Sequence, residues 1–288
     1  MTSFTLSFEA IGSKWVIDCF EASLDKKKIN SLIQDRIEHF DKTYSRFRKD
    51  SLVWQISKKE GDYIFPEDSR DFFASYDTFY KATNGAFTTL IGNTLSQAGY
   101  DYSYSLKPGK INRLPDIDSI YSWEYPILKV KKPYILDFGG LGKGYLVDMI
   151  SNLLKENGVK SFCVDGGGDM SFFNLKKHMR VGLENPKDPK QVIGVIELNN
   201  KSICSSSGNR RKWANFHHII NPKTLNSTDR ILATWVIARD TITADGLATS
   251  LFLVPAKRLI KYFDFEYLIL YPNFKVEKSK KFSAELFA

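Results

Sequence analysis

No stretch of this chain approaches the roughly 18 consecutive apolar residues that a membrane-crossing helix needs. Its opening, MTSFTLSFEAIGSKWVIDCF, has no basic leader segment, and Glu9, Lys14 and Asp18 interrupt any apolar run, so no signal peptide is expected. Cysteine is scarce: Cys19, Cys163 and Cys204 are an odd number at wide spacing with no paired motif. That pattern argues for reduced thiols and a cytoplasmic setting. Internal repeats and linker-like stretches are also missing, so residues 1–288 read as a single domain.

Positive charge and aromatic rings are plentiful. The net charge of +8 would suit nucleic acid, but the lysines are dispersed, with short clusters only at 26–28 and 278–281. Without a recognised nucleic-acid motif, that excess reads as solvated surface or as a field for an anionic ligand. Aromatic residues at 14% supply the core and leave rings for a planar ligand.

Hydrophobic spacing sets the expected elements. Phe4, Leu6 and Phe8, then Trp15, Ile17 and Cys19, alternate on either side of a Gly12-Ser13 bend, which predicts a strand pair. Ile29, Leu32, Ile33, Ile37 and Phe40 fall at helical spacing, as do Phe72, Phe73, Tyr76, Phe79 and Tyr80 between Ser69 and Asn84-Gly85. Residues 97–130 are irregular, with short strands at best. A buried strand YILD, a loop GGLGKG, a helix through Leu146, Ile150, Leu153 and Leu154, and a strand SFCVD follow in turn. Further strands are expected at VIGVIEL, SICSSS, TWVIA and YLILY, with a helix through DGLATSLFLV. The class is α+β with mixed sheets and flanking helices.

Four stretches could carry chemistry. Glycines before a helix let a pyrophosphate approach free N–H groups, and Lys143 adds charge; the same glycines could form a helix-opening turn without a ligand. A Walker A loop is excluded, because Asp137 stands where its first glycine is required and neither Ser nor Thr follows Lys143. In VDGGGDM, Asp165 or Asp169 could bind or cap, and a tight turn explains the glycines equally. In HHIINPKT, one of the two adjacent histidines should face inward as a base or phosphate donor; a surface pair is the alternative. In TADGLATSLF, Asp245 and Thr249 share a helix face as i and i+4, and hard oxygens suit Mg²⁺; a capping aspartate is the alternative.

In this order the four stretches resemble the ApbE-like family, the FAD:protein FMN transferases. The family's D-G-G-x-A-K-G-Y-x-x-D is met by DFGGLGKGYLVD, its G-G-D turn by Gly167, Gly168 and Asp169, and its SG…HHIIDPRTG by SSGNRRKWANFHHIINPKT. ADGLATSLFL is similar to ADALATALFV, YSRFRKDS to S-x-y-x-x-D-S, and ATNGAFTTLIG to s-x-G-a-F-D-p-T-v-G. The similarity runs from about residue 8 to residue 255.

The resemblance implies a two-lobed α+β fold and Mg²⁺-dependent transfer of FMN from FAD to a Thr or Ser hydroxyl of an acceptor protein, with release of AMP. It implies Mg²⁺ at Asp245, Thr249 and the Gly140 carbonyl, and FAD contacts at Asp137 and Lys143. Ile11, Phe47, Ala86, Phe87, Thr88 and Ile220 match further flavin or adenine contacts, and His218 matches the family's histidine. The departures are Thr88 for an Asp, Asn221-Pro222 for Asp-Pro, Leu225 for Gly, Ile11 for Met and Phe47 for Tyr. An FAD pyrophosphatase and a flavin-binding module without turnover remain as alternatives. Many family members are exported lipoproteins, so a cytoplasmic member would need a cytoplasmic acceptor.

Overall fold

The structure is a computed structural model and describes residues 2–287. The chain opens as the expected hairpin of β1 (Thr2–Ala10) and β2 (Ser13–Ala22), which sets Leu6 opposite Ile17 and Phe8 opposite Trp15. Its turn places Ile11 and Gly12 at φ 43° and 75°. Helix α1 (Lys26–Tyr44) starts where the Asp25 carboxylate accepts the Lys28 N–H at 2.9 Å, and it buries Ile29, Ile33, Ile37 and Phe40. After α2 (Leu52–Ile56) and β3 (Gly61–Ile64), helix α3 (Ser69–Thr83) ends at Asn84, which is left-handed at φ 55°.

The irregular middle contains α4 (Ile91–Gln97), the single turn α5 (Ile117–Ile120), β4 (Tyr121–Glu124) and β5 (Ile127–Val130). Next come α6 (Gly139–Glu156), β6 (Phe162–Asp165), β7 (Met170–Phe173), β8 (Met179–Asn185), β9 (Asp188–Leu198) and β10 (Ser202–Ser207). Four two-residue strands follow: β11 (Lys212–Trp213), β12 (Phe216–His217), β13 (Ile220–Asn221) and β14 (Asn226–Ser227). The chain closes through β15 (Ala233–Ala238), α7 (Thr241–Ser250), α8 (Ala256–Leu259), β16 (Glu266–Leu270), β17 (Val276–Lys278) and β18 (Glu285–Leu286).

Eight strands form the main sheet in the order β1-β2-β6-β7-β10-β15-β16-β17. The class is α+β, but the expectation of mixed strand directions gives way. Every pairing among the described strands is antiparallel.

The period of two divides β15 between two cores. Val236 and Ala238 join the core made with α1, α3, α6 and α7, while Trp235 and Ile237 face Val181, Leu183, Ile196 and Leu198 of the β8–β9 sheet.

Two expected elements differ. YILD is not a strand: it is extended, and its N–H groups go to α4 and the residues before it, Ile135 to Asn93 Oδ1 at 3.1 Å and Asp137 to the Thr89 carbonyl at 2.8 Å. GGLGKG is not a loop but the opening of α6. Glycine costs a helix about 1 kcal/mol per residue relative to alanine, which is why the segment reads as a loop. Packing overrides propensity here, because a Cβ on Gly144 would meet the Thr241 carbonyl oxygen at 2.4 Å, and one on Gly140 the Phe87 ring at 2.6 Å. Helix α7 also starts four residues earlier than Asp245, with Asp240 as its cap accepting the Thr243 N–H at 3.0 Å.

Candidate active site

The start of α6, the hairpin turn, the end of β10, the strands around His218 and one face of α7 enclose a cavity of about 360 Å³. Of the residues singled out in the sequence, Phe47, Ala86, Phe87, Thr88, Asp137, Gly140, Lys143, His218, Ile220, Asp245 and Thr249 line it. Ile11 does not. Its neighbours Gly12 and Ser13 reach the cavity while its own side chain packs on the main core.

Helices α6 and α7 touch backbone to side chain. Gly144 N donates to Asp245 Oδ2 at 2.8 Å. In a regular helix that N–H would serve the Gly140 carbonyl four residues back. Asp245 lies inside α7, whose cap is Asp240, so the cap reading fails. Burial, and then the nearby Asp169 charge, push its pKa well above the usual carboxylate range. Thr249, one turn further, has its hydroxyl 3.4 Å from Ser206 Oγ. No cation pairs with Asp245 among the described residues, and no cluster of three His, Cys, Asp or Glu side chains accompanies it. One carboxylate, one hydroxyl and a carbonyl fit an ion that takes few protein oxygens and completes its shell with water or phosphate, as Mg²⁺ does.

Lys143 reaches across to the VDGGGDM turn, where its Nζ sits 2.8 Å from Asp169 Oδ2 and 3.4 Å from the Gly167 carbonyl. Burial works against its charge, but Asp169 and Asp245 more than offset that, and its pKa stands raised. Between Asp165 and Asp169 the structure separates the roles. Asp165 Oδ1 accepts the Gly168 N–H at 2.7 Å and shapes the turn, while Asp169 is 1% exposed and holds the lysine. Asp137 is occupied on both oxygens, by the Gly139 N–H at 2.8 Å and by the buried guanidinium of Arg46. Arg46 also donates to the Tyr100 carbonyl at 2.8 Å and lies 4.1 Å over the Phe47 ring.

The two histidines part company. His217 gives Nε2 to the Thr228 carbonyl at 2.7 Å and takes the Ile219 N–H at 3.2 Å. His218 faces the cavity with Nδ1 unpartnered, and burial, aided by the Arg211 charge, pulls its pKa down to about 3. At Thr88 the hydroxyl accepts the Leu90 N–H at 3.2 Å, a local role in place of a carboxylate facing the ligand. Leu225 holds the left-handed backbone (φ 59°) that a glycine would adopt freely.

The sequence does not single out Arg46, Arg211, Ser206 and Ser207, although each stands within a motif quoted above, nor Ser205 in the SICSSS strand. Nothing in spacing marks a side chain that reaches a cavity through tertiary contacts.

A model of the ApbE family matches residues 4–269. The chain belongs to the ApbE family. Among curated ApbE relatives, the FAD:protein FMN transferase of Buchnera aphidicola subsp. Schizaphis graminum is 24% identical over 279 residues, spanning 89% of this chain and 81% of that one. The FAD:protein FMN transferase of Vibrio cholerae is 28% identical over 254 residues, spanning 81% and 75%. Solved ApbE structures share the fold. The flavin transferase ApbE of Vibrio cholerae superposes with a TM-score of 0.81 at 19% identity, and the ApbE protein of Thermotoga maritima with 0.82 at 21%, each over 98% of both chains.

Proposed function

We propose that this ApbE-family chain transfers the FMN half of FAD to a Thr or Ser hydroxyl of an acceptor protein in a Mg²⁺-dependent reaction that releases AMP. The observation that carries this reading is the convergence of Asp245, Thr249, the α6 start and an unpartnered His218 on one cavity. Asp245 and Thr249 would hold Mg²⁺ with the Gly140 carbonyl, whose usual helical donor is drawn toward Asp245. The ion would neutralise charge on the phosphates as the pyrophosphate bond breaks.

The remaining steps belong to side chains of the protein. Phe47, Ala86, Phe87, Thr88 and Ile220 would form the walls against the flavin and adenine rings, with Ile11 acting through the hairpin turn it shapes. Asp137, fixed on both oxygens, and Lys143, fixed by Asp169, would keep the α6 start rigid against the substrate. His218, neutral and with an open ring nitrogen, would take the proton of the attacking hydroxyl as its oxygen bonds to the FMN phosphorus and AMP departs. The acceptor would be a cytoplasmic protein, in keeping with three buried free cysteines.

The test is incubation with FAD, Mg²⁺ and candidate acceptor proteins, following AMP and protein-bound flavin fluorescence. AMP together with a fluorescent acceptor band supports transfer. AMP with free FMN makes the protein an FAD pyrophosphatase, and FAD binding without AMP makes it a flavin-binding module.

A further inference from the structure

Five charged side chains line the cavity: Asp137, Lys143, Arg210, Arg211 and Asp245. Most are already neutralised by partners of their own. Asp137 is paired with Arg46, Lys143 with Asp169 at 2.8 Å, and Arg210 with Glu184 at 2.5 Å. Asp245 is bonded to a backbone N–H. Arg211 alone, among the described residues, is a cavity-lining cation with no carboxylate partner. It is exposed at the rim, and its carbonyl accepts the His218 N–H at 3.2 Å, which ties it to the bend that presents that histidine. Its charge is near enough to help lower the His218 pKa.

A dinucleotide brings negative charge on its pyrophosphate, and a cation already spent on a buried carboxylate attracts it less than a free one. A guanidinium fork also matches phosphate oxygens in geometry. We infer that Arg211, rather than Lys143, supplies the uncompensated positive charge that captures the substrate's phosphate groups at the cavity rim. This assignment rests on the FAD reading above. It makes Lys143 a fixed part of the wall and Arg211 the rim contact to the ligand's phosphates.

The experiment is a titration of the full chain with FAD, read by flavin fluorescence at several salt concentrations. Arg211→Ala should weaken FAD binding by about tenfold or more, the loss of one charge-assisted contact. It should also flatten the dependence of affinity on salt, because an exposed ionic contact is screened by added ions. Arg211→Lys should keep most of the salt dependence while recovering part of the affinity. An Arg211→Ala protein with the parent's affinity and salt dependence overturns the assignment. So does a loss of affinity with unchanged salt dependence, which would mean a structural role for Arg211. If the parent protein itself fails to bind FAD, the FAD reading falls first, and the two failures are thereby told apart.

Discussion

Lys143 Nζ lies 2.8 Å from Asp169 Oδ2, and Asp169 is 1% exposed. A lysine at the cavity wall is thus the counter-charge of a carboxylate that water does not reach. Removing it would strand that carboxylate, and breaking one side of a buried ion pair costs about 3 kcal/mol or more. Because the Lys143 side chain keeps 24% of its surface exposed, water can offset part of this, and a loss of about 2 kcal/mol is expected for Lys143→Ala. Chemical denaturation would measure it. Lys143→Ala paired with Asp169→Asn should recover much of the stability, and equal losses in the single and double variants would show that the pair is not coupled.

Asp245→Asn keeps a carbonyl oxygen for the Gly144 N–H but removes the charge. The fold should survive with a melting temperature close to the parent's, and Mg²⁺-dependent AMP release should be abolished. Normal turnover in this variant would overturn Asp245 as a proposed Mg²⁺ ligand.

His218 and Asp148 titrate in the fold with opposite consequences. His218 stands at about 3 against an ordinary 6.5, so the unfolded chain binds the extra proton between those values. Its contribution to stability is complete above pH 6.5 and falls as pH drops toward 3. Asp148 accepts the Thr241 and Ile242 N–H groups at 2.9 and 2.7 Å, yet burial pushes it to about 6 from 3.8. Its contribution is complete below 3.8 and lost as pH rises through 6. His218→Gln should therefore lose less stability on acidification than the parent, measured by denaturation across pH 4–7.

The same His218 value bears on rate. A base with a pKa of about 3 in the free enzyme is already neutral at pH 5, so kcat/KM should show no histidine limb near 6.5. A clear rise through 6.5 would assign the proton acceptor to another group or to a different environment for His218.

Gly144→Ala should be severe. Its Cβ would lie 2.4 Å from the Thr241 carbonyl oxygen and 2.7 Å from Asp245 Cβ, so α6 and α7 would have to separate. Overpacking of this kind costs about 1–3 kcal/mol. Here it should also displace Asp245, reducing AMP release at temperatures where circular dichroism still reports a folded protein.

Periodicity carried what depends on periodicity. The β1–β2 hairpin, α1, α3 and the strands at β6, β9, β10, β15 and β16 were legible because each buries one face or a continuous apolar run. The α6 start was not, because its glycines are poor helix formers, and the tightest contacts that require them, Gly144 against α7 and Gly140 against Phe87, are made across the fold. The missing side chains of Gly144 and Gly140 make room for neighbouring protein groups, while Gly139 and Gly140 also line the cavity. The cavity residues within the family-like motifs were readable by resemblance. Arg211 and the Lys143–Asp169 pair depend on which groups meet across the fold, information that linear spacing does not contain.

The cavity draws on residues from Gly12 to Leu253, and β2 finds its partner β6 only across most of the first half of the chain, Ile17 opposite Val164. A ribosome making this protein N-terminus first would release the hairpin turn early and α7 last among the walls. The cavity cannot be complete on any nascent chain that still holds α7 in the exit tunnel. Substrate can therefore stabilise the finished protein but cannot guide its early folding, and a message truncated before Asp245 would yield a chain with no partial activity to be selected.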